Sequence, residues 1–457
     1  MKNLTVANIA TSCNGKVFNY DLNNDETIKG VAIDSRKIEE GFLYIPFVGE
    51  RVDGHKFIPD VFAKNAMITL SEQDLGDVTY PYILVDSTAK AIKDIAQFYR
   101  ESLDVKVVGI TGSVGKTSTK EIVASVLEQK YKVLKTEGNF NNEIGLPLTI
   151  FRLTEDIEIC VLEMGISEFE EMHRIAKVAK PDVCVITNIG TCHLENLGDR
   201  DGVLKAKTEI FDYMNPSGAI ILNGDDDKLI TIKDYNGIEP MFFGKSDLFS
   251  AYPLEVRKEG LGGTYVLLNC LGRTIEATVP IPGEHMVGNA LAASLVGDYF
   301  GLDISEIKQG IESLKPVSGR NNHIKTDKYL VIDDCYNANP MSMKAAIDVL
   351  AMADTRKVAV LGDMFELGAD EEKLHAEVGE YASKKDIDVL VCVGGLSKNM
   401  FDAATKELSD NNMMMYYFKD LDELKSSLFG ILKMGDTILV KASNGMHFKE
   451  VVEMLVK

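Results

Sequence analysis

The residues best suited to chemistry lie in Gly109-Ile110-Thr111-Gly112-Ser113-Val114-Gly115-Lys116-Thr117. Glycines let backbone N–H groups curl around phosphates, and a helix opening at that point adds partial positive charge. Lys116 supplies a full charge for β- and γ-phosphates, and the Thr117 hydroxyl can ligate Mg²⁺. Gly112, Ser113, Val114, Gly115, Lys116, Thr117 and Ser118 are therefore candidate nucleotide-binding residues. The strict phosphate-loop pattern would place glycine at 110, where Ile110 stands; the spacing here is Gly-x-x-Gly-x-x-Gly-Lys-Thr. A glycine-rich turn with a chance lysine is the weaker alternative. The β-branched run Val105–Ile110 precedes the loop and a helical stretch follows it.

Three more segments belong with this loop. Asn139, Asn141 and Asn142 sit in a polar run that ends directly at the apolar start Ile144-Gly145-Leu146. That pattern points to a substrate-contacting loop rather than a plain turn. Glu163 closes the apolar run Ile157–Leu162. A carboxylate at the carboxyl end of a parallel strand lies where such sheets bind ligands, and beside a nucleotide it would hold Mg²⁺. His193 follows the next run, Asp182–Thr187. Alone it reads as a satisfied loop histidine; its place beside Thr117 and Glu163 at equivalent strand ends favours a metal ligand.

The elements that must carry these residues are short apolar runs alternating with helical patterns, the signature of buried parallel strands. The fold class is α/β in three domains. Residues 1–85 read as a small N-terminal α/β unit, residues 86–313 as a central phosphate-loop ATPase domain on a parallel sheet, and residues 314–457 as a doubly wound, dinucleotide-fold-like domain. Four strands are predicted in the last block, at Tyr329–Ile332, Val358–Leu361, Val389–Val393 and Thr437–Val440.

Composition narrows the function classes. The chain has 457 residues and a formal net charge of -21, which argues against non-specific binding to nucleic acid or anionic membranes. Its seven cysteines include no Cys-x-x-Cys pair, and several lie in apolar runs. They read as reduced core thiols rather than a disulfide framework or zinc site. No run approaches a membrane-spanning length and the N-terminus lacks a signal-peptide pattern, so a cytoplasmic protein is expected. A monomer is also expected.

On these segments the chain resembles the Mur ligase family over essentially its full length. The resemblance implies an ATP-dependent amide-bond ligase that works through an acyl phosphate and uses ATP and Mg²⁺. It implies that Glu163 and His193 bind a second Mg²⁺, and that Lys207, in Ala206-Lys207, carries a carbamate. Lys116, His193 and Lys207 thus form the implied catalytic set, with Thr117, Glu163, His193 and Lys207 around metal. From the residues alone, Lys207 in Leu204–Ile210 reads as a solvated lysine on an amphipathic helix.

Gly283-Glu284-His285-Met286-Val287-Gly288-Asn289-Ala290 is similar to a family segment whose later Asn meets adenine, here Asn289; Met286 replaces the family's usual Asn. Arg320 and Asp334 are implied to reach the nucleotide. Asp333-Asp334-Cys335-Tyr336-Asn337-Ala338-Asn339-Pro340 and Gly362-Asp363-Met364-Phe365-Glu366-Leu367-Gly368 resemble the branch that adds D-alanyl-D-alanine to UDP-N-acetylmuramoyl-tripeptide. Tyr336, Asn337 and Asn339 are then implied substrate contacts. In the N-terminal unit Ser35, Arg36, Gly49, Asp53, Gly54 and His55 are implied contacts of the UDP-sugar. The chain departs from the family at Glu170-Glu171 and at Ser443-Asn444-Gly445. A phosphate-loop switch protein, from another function class, would leave Asp34-Ser35-Arg36 and Asn337-Ala338-Asn339-Pro340 without a purpose.

Overall fold

A computed structural model describes residues 1–49, 52–407 and 413–457. Among these residues the chain builds three sheets in sequence order, of five, nine and six strands. The five-stranded sheet is parallel through Gly30–Ala32, Phe42–Tyr44, Ile68–Ser71 and Tyr82–Leu84, with Lys16–Phe18 antiparallel at its edge.

The nine-stranded sheet has Lys106–Thr111 inside it, hydrogen-bonded to Ile159–Glu163 on one side and Val183–Ile186 on the other. The chain leaves Lys106–Thr111 toward one edge and later returns to its opposite flank, so the strand order reverses there. Ligands bind at such a reversal, outside the carboxyl ends of the strands. These strands read as continuous apolar runs because both faces are covered. Val107, Cys160, Leu162 and Cys184 face one core, and Val108, Ile110, Val161 and Val183 face the other. The six-stranded sheet repeats the logic. Ala359, Leu361 and Leu439 enter one core, while Val358, Val360 and Val440 enter the second.

The helix Thr88–Glu101 begins at Ser87, whose side chain accepts from Lys90 N. It packs against the N-terminal helix Val6–Ser12 and also against Gly145–Ile150 and Glu171–Ala179 of the central unit. Its buried face, including Ile92, Ile95 and Tyr99, belongs to a core that runs through both units.

The structure adds strands beyond those expected from sequence. An antiparallel ribbon, Ala251–Lys258, Thr264–Cys270 and Arg273–Val279, extends the central sheet. Burial alternates strictly along Thr264–Cys270, but Tyr265 and Leu267 on its outer face hide that alternation in the sequence. The edge strand Asn322–Lys325 carries polar residues because none of its residues is buried.

Candidate functional site

The phosphate loop links Thr111 to the helix Lys116–Leu127. Gly112 has φ of +148°, and a Cβ there would stand 1.9 Å from Thr187 Oγ1, so only glycine fits. Gly115, at φ +87°, turns the chain into the helix. The loop after Val183–Ile186 clamps this segment from the side. Asn188 Oδ1 accepts from Val114 N at 2.9 Å, Ser113 N donates to Asn188 O at 3.0 Å, and Thr187 Oγ1 donates to Val114 O at 2.6 Å. The Lys116 ammonium lies back over the loop and donates to Gly112 O at 2.7 Å. The first-turn N–H groups of a helix have no intrahelical acceptor and suit an anion.

Glu163 is 3% exposed at its strand end. Thr117 Oγ1 donates to one of its oxygens at 2.8 Å and Asn141 Nδ2 to the other at 2.8 Å. Nearby, Lys207 is 1% exposed, whereas Lys205 is on the outside of the same helix, its ammonium over the Phe169 ring. Among the described residues no carboxylate pairs with the Lys207 ammonium. Burial, and then the charge of Lys116, bring the Lys207 pKa down to about 8. This corrects the reading of Lys207 as a solvated lysine: the helix turns position 207 into the core. His193 has its pKa lowered by burial; Glu366 opposes that shift, and the charges of Lys207 and Lys116 add to it. Its Nδ1 stands 3.1 Å from Glu366 Oε2 of the C-terminal unit.

A cavity of about 890 Å³ opens between the central and C-terminal units. One wall carries Val114, Gly115, Thr117, Ser118 and Asn289; the facing wall carries Arg320, Asp334 and Lys441. Asn289 accepts from Thr119 Oγ1 at 3.0 Å, which fixes its amide. The Arg320 guanidinium lies 4.0 Å from the centre of the Tyr336 ring, and its buried Nε has no protein partner. A buried guanidinium N–H without an acceptor suits an anionic ligand. Lys441 Nζ bonds Asp334 Oδ2 at 2.6 Å and Asn337 O at 3.0 Å. Sequence reasoning missed Lys441, although it directly follows the predicted strand Thr437–Val440, where ligands approach such sheets. It also missed Asn188 as the loop clamp and Glu366 as the partner of His193.

Several other expected contacts already make structural hydrogen bonds of their own. Asn339 caps the helix Pro340–Leu350 by accepting from Ser342 N at 2.9 Å. Asn142 accepts from Gly145 N at 2.9 Å and starts the next helix. Asn337 Oδ1 accepts from Ala338 N at 2.9 Å, and Asn139 is exposed. His55 is buried, with Nδ1 2.7 Å from Asp53 Oδ1 and Nε2 accepting from Glu72 N at 3.0 Å. Gly54 is held under Phe47, whose backbone atoms a Cβ would meet at 2.9 Å. Ser35 and Arg36 follow Gly30–Ala32, and Gly49, Asp53, Gly54 and His55 follow its parallel neighbour Phe42–Tyr44, so both groups gather at one sheet edge. Arg36 is exposed and paired with Asp34, whose carboxyl it holds down at about 2. None of this N-terminal group lines the 890 Å³ cavity.

Among the described residues, no three His, Cys, Asp or Glu side chains converge as a ready-made metal cage. Mg²⁺ does not require one. It keeps several waters and commonly uses one or two carboxylates with substrate phosphates. Glu163, joined to the Thr117 hydroxyl at the phosphate loop, fits that habit.

Family models match the chain in three successive stretches. They are the Mur ligase family catalytic domain at residues 27–100, the Mur ligase middle domain at 110–297 and the Mur ligase glutamate ligase domain at 319–444. The UDP-N-acetylmuramoyl-tripeptide–D-alanyl-D-alanine ligase of Bacillus subtilis is 38% identical, covering 99% of this chain and 98% of that protein. The Escherichia coli protein of the same name is 33% identical over 100% of this chain and 99% of its own length. Among solved structures, MurF from Acinetobacter baumannii superposes with a TM-score of 0.89 at 30% identity, covering 99% of this chain and 98% of that one. MurF ligase from Thermotoga maritima in complex with ADP gives 0.81 at 28% identity over 93% and 96%. With the matches running through all three sheets and nearly the whole of each relative, the chain belongs to the Mur ligase family.

Proposed function

We propose that the chain joins D-alanyl-D-alanine to UDP-N-acetylmuramoyl-tripeptide at the expense of ATP, forming ADP, phosphate and the pentapeptide precursor of the cell wall. The observation that carries this reading is the 38% identity to a ligase of that name across 99% of the chain. The site geometry supports it. The terminal carboxylate of the tripeptide attacks the γ-phosphorus, and the bond from that phosphorus to the ADP oxygen breaks. The dipeptide amine then attacks the carbonyl carbon of the acyl phosphate, the carbon–oxygen bond breaks, phosphate leaves and the amine loses its proton.

Carboxylate and triphosphate repel each other, so this chain's cations do much of the work. Lys116 spans the β- and γ-phosphates, the loop from Gly112 to Ser118 cradles them, Asn289 holds adenine, and Arg320 reaches in from the C-terminal unit. Thr117, Glu163, His193 and a carbamylated Lys207 would hold Mg²⁺. When bound, that ion neutralises the phosphate charge developing in transfer. Residues around Arg36 and Asp53 take the UDP-sugar, and the surface near Tyr336 and Asn337 takes the dipeptide. Closure of the C-terminal unit aligns the reactants and keeps water from the acyl phosphate.

We assign the enzyme to the cytoplasm. Among the described residues no helix is long and apolar enough to cross a membrane, and all seven cysteines are free. The test is incubation with ATP, Mg²⁺, UDP-N-acetylmuramoyl-tripeptide and D-alanyl-D-alanine, followed by mass analysis. The expected product is the tripeptide extended by the dipeptide, with ADP release that needs both co-substrates. ADP formed equally fast without the dipeptide would defeat the assignment.

A further inference from the structure

The C-terminal unit delivers one carboxylate to His193 of the central unit. Glu366 lies beyond the strand Lys357–Gly362, and its Oε2 stands 3.1 Å from His193 Nδ1. The two loops meet again just beyond, where a Cβ on Gly368 would lie 4.0 Å from Glu195 N. Both residues of the bridge adopt left-handed backbone conformations, His193 at φ +54° and Glu366 at φ +63°. Non-glycine residues held there cost about 1 kcal/mol or more each, and they gather at ligand clamps and switches. The Glu366 side chain is 67% exposed, so the ion pair itself adds little stability. Stability therefore gives no reason for holding two strained residues against each other.

The imidazole supplies a reason. Glu366 Oε2 meets Nδ1 as an ionic contact rather than an aligned hydrogen bond; a small turn of the ring lets it accept from Nδ1–H and leaves the lone pair on Nε2, for which no protein partner is found among the described residues. A carboxylate on the far nitrogen of a metal-binding histidine fixes both tautomer and ring orientation.

We infer that Glu366 is a positioning residue: brought in by the C-terminal unit, its carboxylate orients His193 so that Nε2 is presented to the metal, and domain closure thereby completes the metal centre. The inference rests on the reading of His193 as a metal donor. Glu366 touches neither metal nor reacting atoms. Closure and metal affinity become one linked equilibrium, each raising the other by the same factor.

The test is a Mn²⁺ titration of the full chain with ADP present, followed by electron paramagnetic resonance, on wild type, Glu366→Ala, Glu366→Gln and His193→Ala. Glu366→Ala is expected to bind Mn²⁺ about 10–100-fold more weakly, with metal-free ADP affinity unchanged. Glu366→Gln keeps most of the affinity, because its amide oxygen can take the same place and accept from Nδ1–H. If Glu366→Ala binds Mn²⁺ as wild type does while His193→Ala has lost it, the inference is overturned and His193 stands as a ligand. Wild-type affinity in His193→Ala overturns both. Equal loss of metal-free ADP affinity in Glu366→Ala also overturns it, since the residue would then be structural.

Discussion

Replacing Lys207 with methionine separates a charge from a side chain. The site is 1% exposed, no carboxylate among the described residues pairs with the ammonium, and burial takes its pKa from the ordinary lysine value near 10.4 down to about 8. At about 1.4 kcal/mol for each tenfold change in proton affinity, holding the bare ammonium in the folded protein costs about 3 kcal/mol. In CO₂-free buffer below pH 8, Lys207→Met should therefore be more stable than wild type by up to that amount. Between pH 8 and about 10.4 the unfolded lysine binds more protons than the folded one, so wild-type stability rises and the advantage of methionine shrinks. Bicarbonate changes the comparison in wild type alone. A carbamate replaces the unpaired +1 charge by −1, with two oxygens that can face metal. Urea denaturation at several pH values with and without bicarbonate reads the first effect. A ¹³C carbamate resonance after labelling with ¹³C-bicarbonate reads the second, and turnover should be lost in Lys207→Met and partly restored in Lys207→Ala by a small added carboxylate. A stability difference independent of pH would refute the burial argument. Full turnover in either variant, or no carbamate resonance in the active wild type, would refute the carbamate.

Lys116→Ala should lower turnover by roughly two or more orders of magnitude, with the fold intact by circular dichroism; near-normal turnover would remove the loop from phosphoryl transfer. Arg36→Ala should weaken UDP-substrate binding by roughly an order of magnitude and leave ATP affinity unchanged by calorimetry; equal damage to both would break the assignment of the N-terminal unit. Gly112→Ala, whose Cβ would press on Thr187 Oγ1 at 1.9 Å, should cost about 1–3 kcal/mol of stability and most nucleotide affinity, and unchanged nucleotide binding would show that the loop can move aside. Lys441→Met leaves the Asp334 carboxylate without its cation and should cost about 3–5 kcal/mol in urea denaturation; a loss below 1 kcal/mol would mean that solvent already reaches the pair.

What could be read from sequence follows from how each element is buried. Val389–Val393 and Thr437–Lys441 lie under helices on both faces, so the first is apolar throughout, the second is apolar through Ile438–Val440, and both runs stand out. The ribbon of Thr264–Cys270 and Arg273–Val279 buries one face only, and outward Tyr265 and Leu267 blur its alternation. Asn322–Lys325 has no buried residue, and its backbone pairing with Leu330–Asp333 leaves no mark in side-chain type.

The site divides along the same line. Gly112, Lys116, Thr117 and Glu163 are visible because backbone strain, charge and strand-end position each restrict residue type within a short stretch. Asn339, Asn142 and His55 illustrate the opposite case. Their polar types suit a ligand equally well, but a helix start and a turn already use the amide oxygens of Asn339 and Asn142, and a buried network uses both ring nitrogens of His55. Composition cannot tell a polar group spent on its own backbone from one left for substrate; only the partner atom can. Lys207 and Glu366 lie beyond local pattern for another reason. Lys207 differs from Lys205 only in the direction the helix points it, and Glu366 meets His193 only because two separate sheets come together. A site assembled between domains is specified by docking rather than by spacing. Glu366, which reaches His193 from a separate sheet, is for that reason among its least legible residues.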